Sequence, residues 1–412
     1  MKIKFAALLL ALLTVLFSGC SAAEAGTAAA DTAAAETAES ESSGAAVSVP
    51  AESEETSADP DAPFIDGLVY VSTMELDDAK CFDVYFYEGG YAVIRISDAR
   101  SYLVVPEGAE VPSGAESRFI VLQQPLKHIY LAATAAMCQF DALDALSDIR
   151  FSGLEADGWY LENAARAMEE GEILYAGKYS APDYELILSE GCDLAVESTM
   201  ILHSPKVQDK LEELGIPVWI DLSSYEPEPL GRTEWIKAYA VLLGKEDAAE
   251  EIFAVQKQYA AELENFVNTE KTVAFFYINS NGAIVTKKSG DYIPKMIEMA
   301  GGRYIFSDLG DSETASSSVT MDMETFYASA RDADFLIYNA SIDEPLESVD
   351  ELLAKNELFA DFKAVREGNV WCTTKYLYQA SDVNGEIVHD IHLMLTSDDG
   401  TEVQPTFLYK LY

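Results

Sequence analysis

The stretch Gly231–Phe253, GRTEWIKAYAVLLGKEDAAEEIF, decides how this chain is read. It reads as two helical segments in succession, Arg232–Leu243 and a second from Glu246 to about Phe266, with a break at Gly244. In the second segment Ala248, Ile252, Val255, Tyr259 and Leu263 recur every three or four residues and predict one buried face. On both sides the sequence alternates short apolar runs with short helices. A helical connection at the centre of such a chain predicts a strut: its first half packs against one lobe and its second half crosses to another.

Working outward, the N-terminal side offers KHIYLAA, IRFSG, ILYAG, CDLAVES and IPVWID as strands. Between them AAMCQFDALDAL, WYLENAARAMEE, SAPDYELILSEG and SPKVQDKLEELG read as helices. Ser180 is the expected N-cap of the third, with Pro182 in its first turn, and Gly215 ends the fourth. On the C-terminal side KTVAFFYI, GAIVTKK, DFLIYN and GNVWCTT alternate with helical DYIPKMIEMAG, TMDMETFYASARDA, SVDELLAKNELFADFKAV and GEIVHDIHLML. The closing TFLYKLY reads as an added strand or a packed tail. The expected fold is α/β: two lobes, each a central mostly parallel sheet flanked by helices, joined by one long interlobe helix. Ahead of the lobes, GLVYVS, CFDVYFYE, YAVIRI and SYLVV predict a small N-terminal β module, with a hairpin at YEGGYA.

The chain begins with Lys2, Lys4 and the apolar run Phe5–Phe17, too short to span a bilayer and suited to a secretory signal. Its end, LFSGC, resembles the lipobox of bacterial lipoproteins, which implies cleavage before Cys20 and a lipid on that thiol. The following Ala/Ser/Thr/Glu segment lacks aromatic and basic residues and reads as a solvated tether. The expected divisions are 1–19 signal peptide, 20–63 lipidated Cys20 and tether, and 64–118 β module. The N-terminal lobe follows at 119–231, the interlobe helix region at 232–268, and the C-terminal lobe and tail at 269–412. A net charge of −44 excludes nucleic acid as a partner, because phosphate binding needs a basic surface. Cys81, Cys138, Cys192 and Cys372 allow three disulfide connectivities, and no pair has the spacing of a metal knuckle.

Four stretches together resemble the class III (cluster A) substrate-binding proteins of ABC importers, the type that carries ferric siderophores, haem or cobalamin. They are YAGKYSAPDYELILSEGCDLAVES, PLGRTEWIKAYAVLLGKEDAAEEIF, DADFLIYNA and LFADFKAVREGNVW, in this order, within about Leu122–Leu395. The resemblance implies a non-enzymatic, monomeric protein without a cofactor. It would be lipid-anchored outside the bacterial cell membrane and deliver a metal chelate to a permease and its ATPase. It also implies that Glu185 and Glu324, each on the first turn of a helix, dock the permease.

Ligand-binding residues are expected in the loops that follow strands. Lys178, Lys287, Lys288 and Lys375 are candidates because cations are scarce here and would create a local positive site for an anion. Tyr179, Tyr225, Tyr292, Tyr376 and Tyr378 are candidates for stacking or hydrogen bonding. Ser198, Met200, Asn281 and Asn339 lie in the same loops, and Arg232 either reaches the cleft floor or pairs with Glu228 at i, i+4. Two alternatives stand beside this reading. His203, His389 and His392 raise a Zn- or Mn-binding protein, although an HxxH on the last helix does not match ligands drawn from separate loops. A sensory or adhesive lipoprotein on the same lobes is the other. No GxSxG, GxxxxGK or GxGxxG favours catalysis.

Overall fold

The computed structural model describes residues 59–310, 318–397 and 405–412, all within one compact unit, Thr56–Tyr412. Cys20, the signal and most of the tether lie outside the described residues. Three sheets follow one another along the chain.

The first sheet is β1 (Tyr70–Thr73), β2 (Phe82–Tyr87), β3 (Ala92–Ile96), β4 (Ser101–Val105) and β5 (Ile120–Gln123), in that spatial order. The first four strands run antiparallel, while β5 runs parallel to β4. The module therefore extends past the expected boundary at 118, and Ile120–Gln123 belongs to it rather than to the first lobe. Alternation along the strands gives the sheet two apolar faces. Tyr85, Val93, Leu103 and Val105 cover a small core of their own. Phe82, Val84, Ile94, Tyr102 and Val104 join the core of the first lobe.

In that lobe β6 (Ile129–Leu131), β7 (Ile149–Ser152), β8 (Leu174–Tyr175), β9 (Leu194–Ser198) and β10 (Val218–Asp221) form an all-parallel sheet in the order β10-β9-β6-β7-β8. The helices are α1 (Met137–Ala142), α2 (Glu162–Glu169), α3 (Tyr184–Ser189) and α4 (Pro205–Glu213). The cap of α3 is Asp183, whose side chain accepts from the Leu186 N–H at 3.1 Å, and not Ser180. Asp183 sits three residues before that N–H, the spacing a carboxylate cap needs.

The strut is α5 (Pro229–Leu243) and α6 (Glu246–Leu263). Gly244 ends α5 in the left-handed region at φ +67°, and its N–H donates to the Ala240 carbonyl. Ala249 and Phe253 of α6 belong to the first lobe's core, while Leu263 belongs to the second lobe's. The buried face differs from the expected one. Ala249, Phe253, Gln256 and Leu263 are buried, and Val255 is 51% exposed. A helix gripped by one core at its start and another at its end presents a stripe turned by one residue from the most apolar one.

The second lobe holds β11 (Thr272–Ile278), β12 (Ile284–Lys287), β13 (Arg303–Tyr304), β14 (Ser318–Met321), β15 (Phe335–Tyr338), β16 (Val370–Thr373) and β17 (Leu408–Lys410). The sheet order is β14-β12-β11-β15-β16-β17, with β13 beside β11. Its centre, β11, β15 and β16, is parallel; β12, β14 and the closing strand β17 run antiparallel. Its helices are α7 (Tyr292–Met299), α8 (Met323–Ala330), α9 (Val349–Lys355), α10 (Lys363–Glu367) and α11 (Asn384–Thr396).

Candidate ligand-binding cleft

A cavity of about 380 Å³ opens between the lobes. The first lobe contributes Thr134 after β6, Ser198 and Met200 at the end of β9, Asp221 at the end of β10, and Ser223–Tyr225 beyond it. The second contributes Lys287 at the end of β12, Asp291–Ile293 at the start of α7, Asn339 and Ile342 after β15, and Leu377 and Tyr378 after β16. These are mostly the carboxyl ends of strands, where chain leaving a parallel sheet is free to form loops. Arg232 enters from the first turn of α5.

The loop after β10 is held from below. Asp221 accepts from the Ser223 N–H at 2.7 Å and from the Tyr239 hydroxyl. Glu226, buried, accepts from Trp235 Nε1 at 2.7 Å and from the N–H groups of Lys80 and Cys81 at 2.8 and 2.9 Å. Burial pushes the Glu226 carboxyl up, and these three donors offset only part of that rise. Further on, within α5, fully buried Glu234 accepts from the N–H groups of Asp77, Asp78 and Ala79 at 2.9, 2.8 and 2.8 Å. Two carboxylates of the strut region thus satisfy consecutive N–H groups from Asp77 to Cys81, a segment of the β module. The signal for this was present in the sequence only as two glutamates ahead of Trp235.

The cations are arranged otherwise than expected. Arg232 does not pair with Glu228; its guanidinium lies 3.9 Å from the Tyr292 ring centroid. Glu228 instead reaches across to Lys295 of α7 at 2.9 Å. Lys287 lines the cavity but is paired with Asp291 at 3.1 Å, and Asp291 also caps α7 by accepting from Ile293 N–H. Of the expected residues, Ser198, Met200, Tyr225, Arg232, Lys287, Tyr292, Asn339 and Tyr378 come together here.

The others do not line the cavity. Lys178 and Tyr179 stay in the loop between β8 and α3. Asn281 sits in the β11–β12 turn, its N–H on Asn279 Oδ1. Lys288 packs against Gly310. Lys375 pairs with Glu344 at 2.9 Å, and Tyr376 stacks on Phe407 with ring centroids 6.0 Å apart. The turn Lys375–Gln379 explains the last two: its side chains diverge, so Tyr378 faces the cleft while Tyr376 faces the second lobe's core. Asp221, Asp291, Ser341 and Ile342 line the cavity without having been singled out. The strand-end rule alone would have found Asp221.

A second layer of contacts joins the lobes beside the cleft. Thr233 donates to the Ser381 carbonyl at 2.8 Å, and Asn384 Nδ2 donates to the Pro229 carbonyl at 2.9 Å. Gln139 Nε2 donates to Ser381 Oγ at 3.2 Å, and Gln379 Nε2 to the Gly158 carbonyl at 2.8 Å. Asp382 lies buried within this joint, and burial raises its carboxyl to about 6.

Among the described residues no three His, Cys, Asp or Glu side chains group as they would to hold a metal ion. His392 bonds the Ala300 carbonyl at 3.0 Å and His389 packs on Tyr259. Cys81, Cys138, Cys192 and Cys372 are free thiols.

Residues 138–377 match the family described as periplasmic binding protein, a span that contains most of the cleft and the entire strut. The chain belongs to the periplasmic binding protein family. This is a family of solute-binding proteins, not of enzymes, and the five-stranded sheet at the N-terminus lies outside the match. Two uncharacterized lipoproteins of Methanocaldococcus jannaschii are relatives. One is 25% identical over 322 residues, covering 74% of each chain; the other is 25% identical over 347 residues, covering 81% of this chain and 86% of its own. Among solved structures, a periplasmic haem-binding protein of Vibrio cholerae shares the fold with a TM-score of 0.54 at 16% identity. That match covers 65% of this chain and 98% of the other. A periplasmic haem-binding protein of Pseudomonas aeruginosa gives 0.52 at 15% identity, with 69% and 98% covered. An ABC-type Fe3+-hydroxamate transport system structure from Saccharomonospora viridis gives 0.51 at 17%, with 66% and 94% covered.

Proposed function

We propose that this chain is the extracytoplasmic solute-binding component of an ABC importer. In this reading it is a monomer anchored by a lipid on Cys20, and it captures a metal chelate of the ferric-siderophore, haem or cobalamin type between its lobes. The observation that carries the reading is the cavity at the strand ends, walled by Ser198, Tyr225 and Arg232 on one side and Tyr292, Asn339 and Tyr378 on the other. Its volume is that of a small-molecule site. The haem and Fe3+-hydroxamate descriptions of proteins with the same fold support the choice of a chelate.

Delivery to a permease and its ATPase is assigned to Glu185 and Glu324. Both are exposed, and both occupy the first turn of a helix whose N-cap is an aspartate two residues earlier, Asp183 and Asp322. Exposed carboxylates in matching positions on the two lobes suit a reversible dock onto arginines.

The test is a thermal-shift and tryptophan-fluorescence panel of ferric siderophores, haem, cobalamin and free Zn2+ and Mn2+. A chelate at a hundred times its Kd should stabilise the protein by about 2.7 kcal/mol. A response to the free ions alone would overturn the chelate reading.

A further inference from the structure

The cleft has five lining side chains that carry a formal charge: Asp221, Glu226, Asp291, Lys287 and Arg232. Four are already engaged. Asp221 holds Tyr239 and Ser223, Glu226 holds Trp235 and the β module, and Asp291 and Lys287 hold each other. Arg232 is the exception. Its Nε is buried without an acceptor, and among the described residues no carboxylate lies within ion-pair distance of it. Stacking on Tyr292 at 3.9 Å fixes the plane of the guanidinium and leaves its edge as a fork of donors. At the mouth stand four apolar side chains, Met200, Tyr225, Ile342 and Tyr378, each between 46% and 55% exposed. Such a cluster of exposed apolar surface around a cavity marks a surface waiting to be covered.

One unspent cation beside three carboxylates is poor solvation for a compact polyanion, whose remaining charges would be desolvated without partners. It is good solvation for a single acidic edge, received as a charge-assisted fork. We propose, resting on the solute-binding reading above, that the cleft selects an amphipathic acid: a chelate whose body is apolar and whose carboxylate edge seats on Arg232. The body then lies under the apolar rim. A ferric tris-catecholate, with three charges on a compact surface, is the kind of chelate this arrangement rejects.

The experiment is a fluorescence titration of the full chain with zinc protoporphyrin IX, its dimethyl ester, and ferric tris(catecholate). The free acid should bind about tenfold or more tightly than the ester, the difference expected of one hydrogen-bonded charge pair. Arg232→Gln should erase that difference and Arg232→Lys should keep part of it, with melting curves recorded for both. The acid–ester comparison on the unaltered protein needs no variant, so a misfolded variant leaves the proposal falsifiable. Equal binding of acid and ester, or tighter binding of the tris-catecholate than of the porphyrin, would overturn the proposal and leave the capture of a chelate standing. Binding of none of these chelates, nor of cyanocobalamin, would overturn both.

Discussion

Glu197, near the end of β9, is fully buried, and neither carboxyl oxygen has a hydrogen-bond partner. Desolvation raises its carboxyl from 4.5 to about 8. The folded protein therefore holds a proton that the unfolded chain gives up. By linkage its contribution to stability is complete below about 4.5 and is lost as pH rises towards 8. Glu197→Gln should match the parent near pH 4.5 and exceed it by a few kcal/mol, to order of magnitude, at pH 8. Urea melts across that range check this, and parallel curves for the two proteins would refute it. Ser198, the next residue, points the other way and lines the cleft. One strand position thus separates a cleft-facing hydroxyl from a carboxyl in the core. The sequence ESTM marks the strand end, yet nothing local in it says which of its polar residues is solvated.

The element that best rewards a structural reading is α5. From sequence it is a helix with Gly244 at its end, and so it is in the fold. Its role as an anchor for the β module was not legible, because the partners of Glu234 are backbone N–H groups 155 to 157 residues away. Glu234→Ala would strand those groups and remove one of the two carboxylates that hold buried Lys237, at 3.2 Å. The expected loss is about 3–5 kcal/mol in a urea titration. Glu250→Ala, which removes the half-exposed partner of the same lysine at 3.0 Å, should cost about 1 kcal/mol or less. Gly231→Ala tests the same contact sterically. A Cβ there would stand 3.0 Å from the Asp78 carbonyl oxygen and 3.2 Å from its carbon, an overpacking worth about 1–3 kcal/mol. If both Glu234→Ala and Gly231→Ala melt like the parent, the clamp contributes nothing.

At the scale of the whole molecule, the lobes are joined twice: covalently by α5 and α6, and non-covalently by the hydrogen-bonded joint of Gln139, Thr233, Ser381 and Asn384. Two rigid connections side by side permit rocking and resist a wide hinge. Free and ligand-bound scattering profiles should therefore nearly coincide, and Asn384→Ala should widen the difference between them. Asp382 in that joint and Asp390 in α11 are both raised to about 6 by burial, so each loses stabilising power as pH climbs through 6. Asp334 and Asp343 act in the opposite sense. Burial raises them, but ion pairs with Lys363 and Lys355 together with hydrogen bonds from Thr272 and Tyr338 outweigh it and hold both below their ordinary value, so their contribution falls away in acid. With a net charge of −44 adding self-repulsion as more carboxylates ionise, the maximum of stability should lie on the mildly acidic side, between about 4 and 6. A stability maximum at pH 8 would contradict this. For docking, reversing Glu185 and Glu324 to Arg should abolish uptake and leave ligand affinity unchanged; retained uptake would refute that role.

The elements and their order were legible in the sequence alone. Apolar period and turn residues act over a few neighbours, and that was enough to specify two α/β lobes, a β module ahead of them and a helical strut between them. The sequence also pointed to several of the loops that face the cleft, because strand ends are local features, but not to the absence from it of the β8–α3 loop and the β11–β12 turn. Which side chain in those loops carries free charge was decided only by the tertiary structure. Lys287 is paired with Asp291 and Lys375 with Glu344, while Glu228, which could have paired with Arg232, pairs with Lys295 instead. Ion pairing depends on distances between elements far apart in the chain, and of the two cations that line the cleft it leaves only Arg232 without a carboxylate among the described residues. The proposed selectivity of the cleft therefore rests on Arg232, which has no carboxylate partner among the described residues.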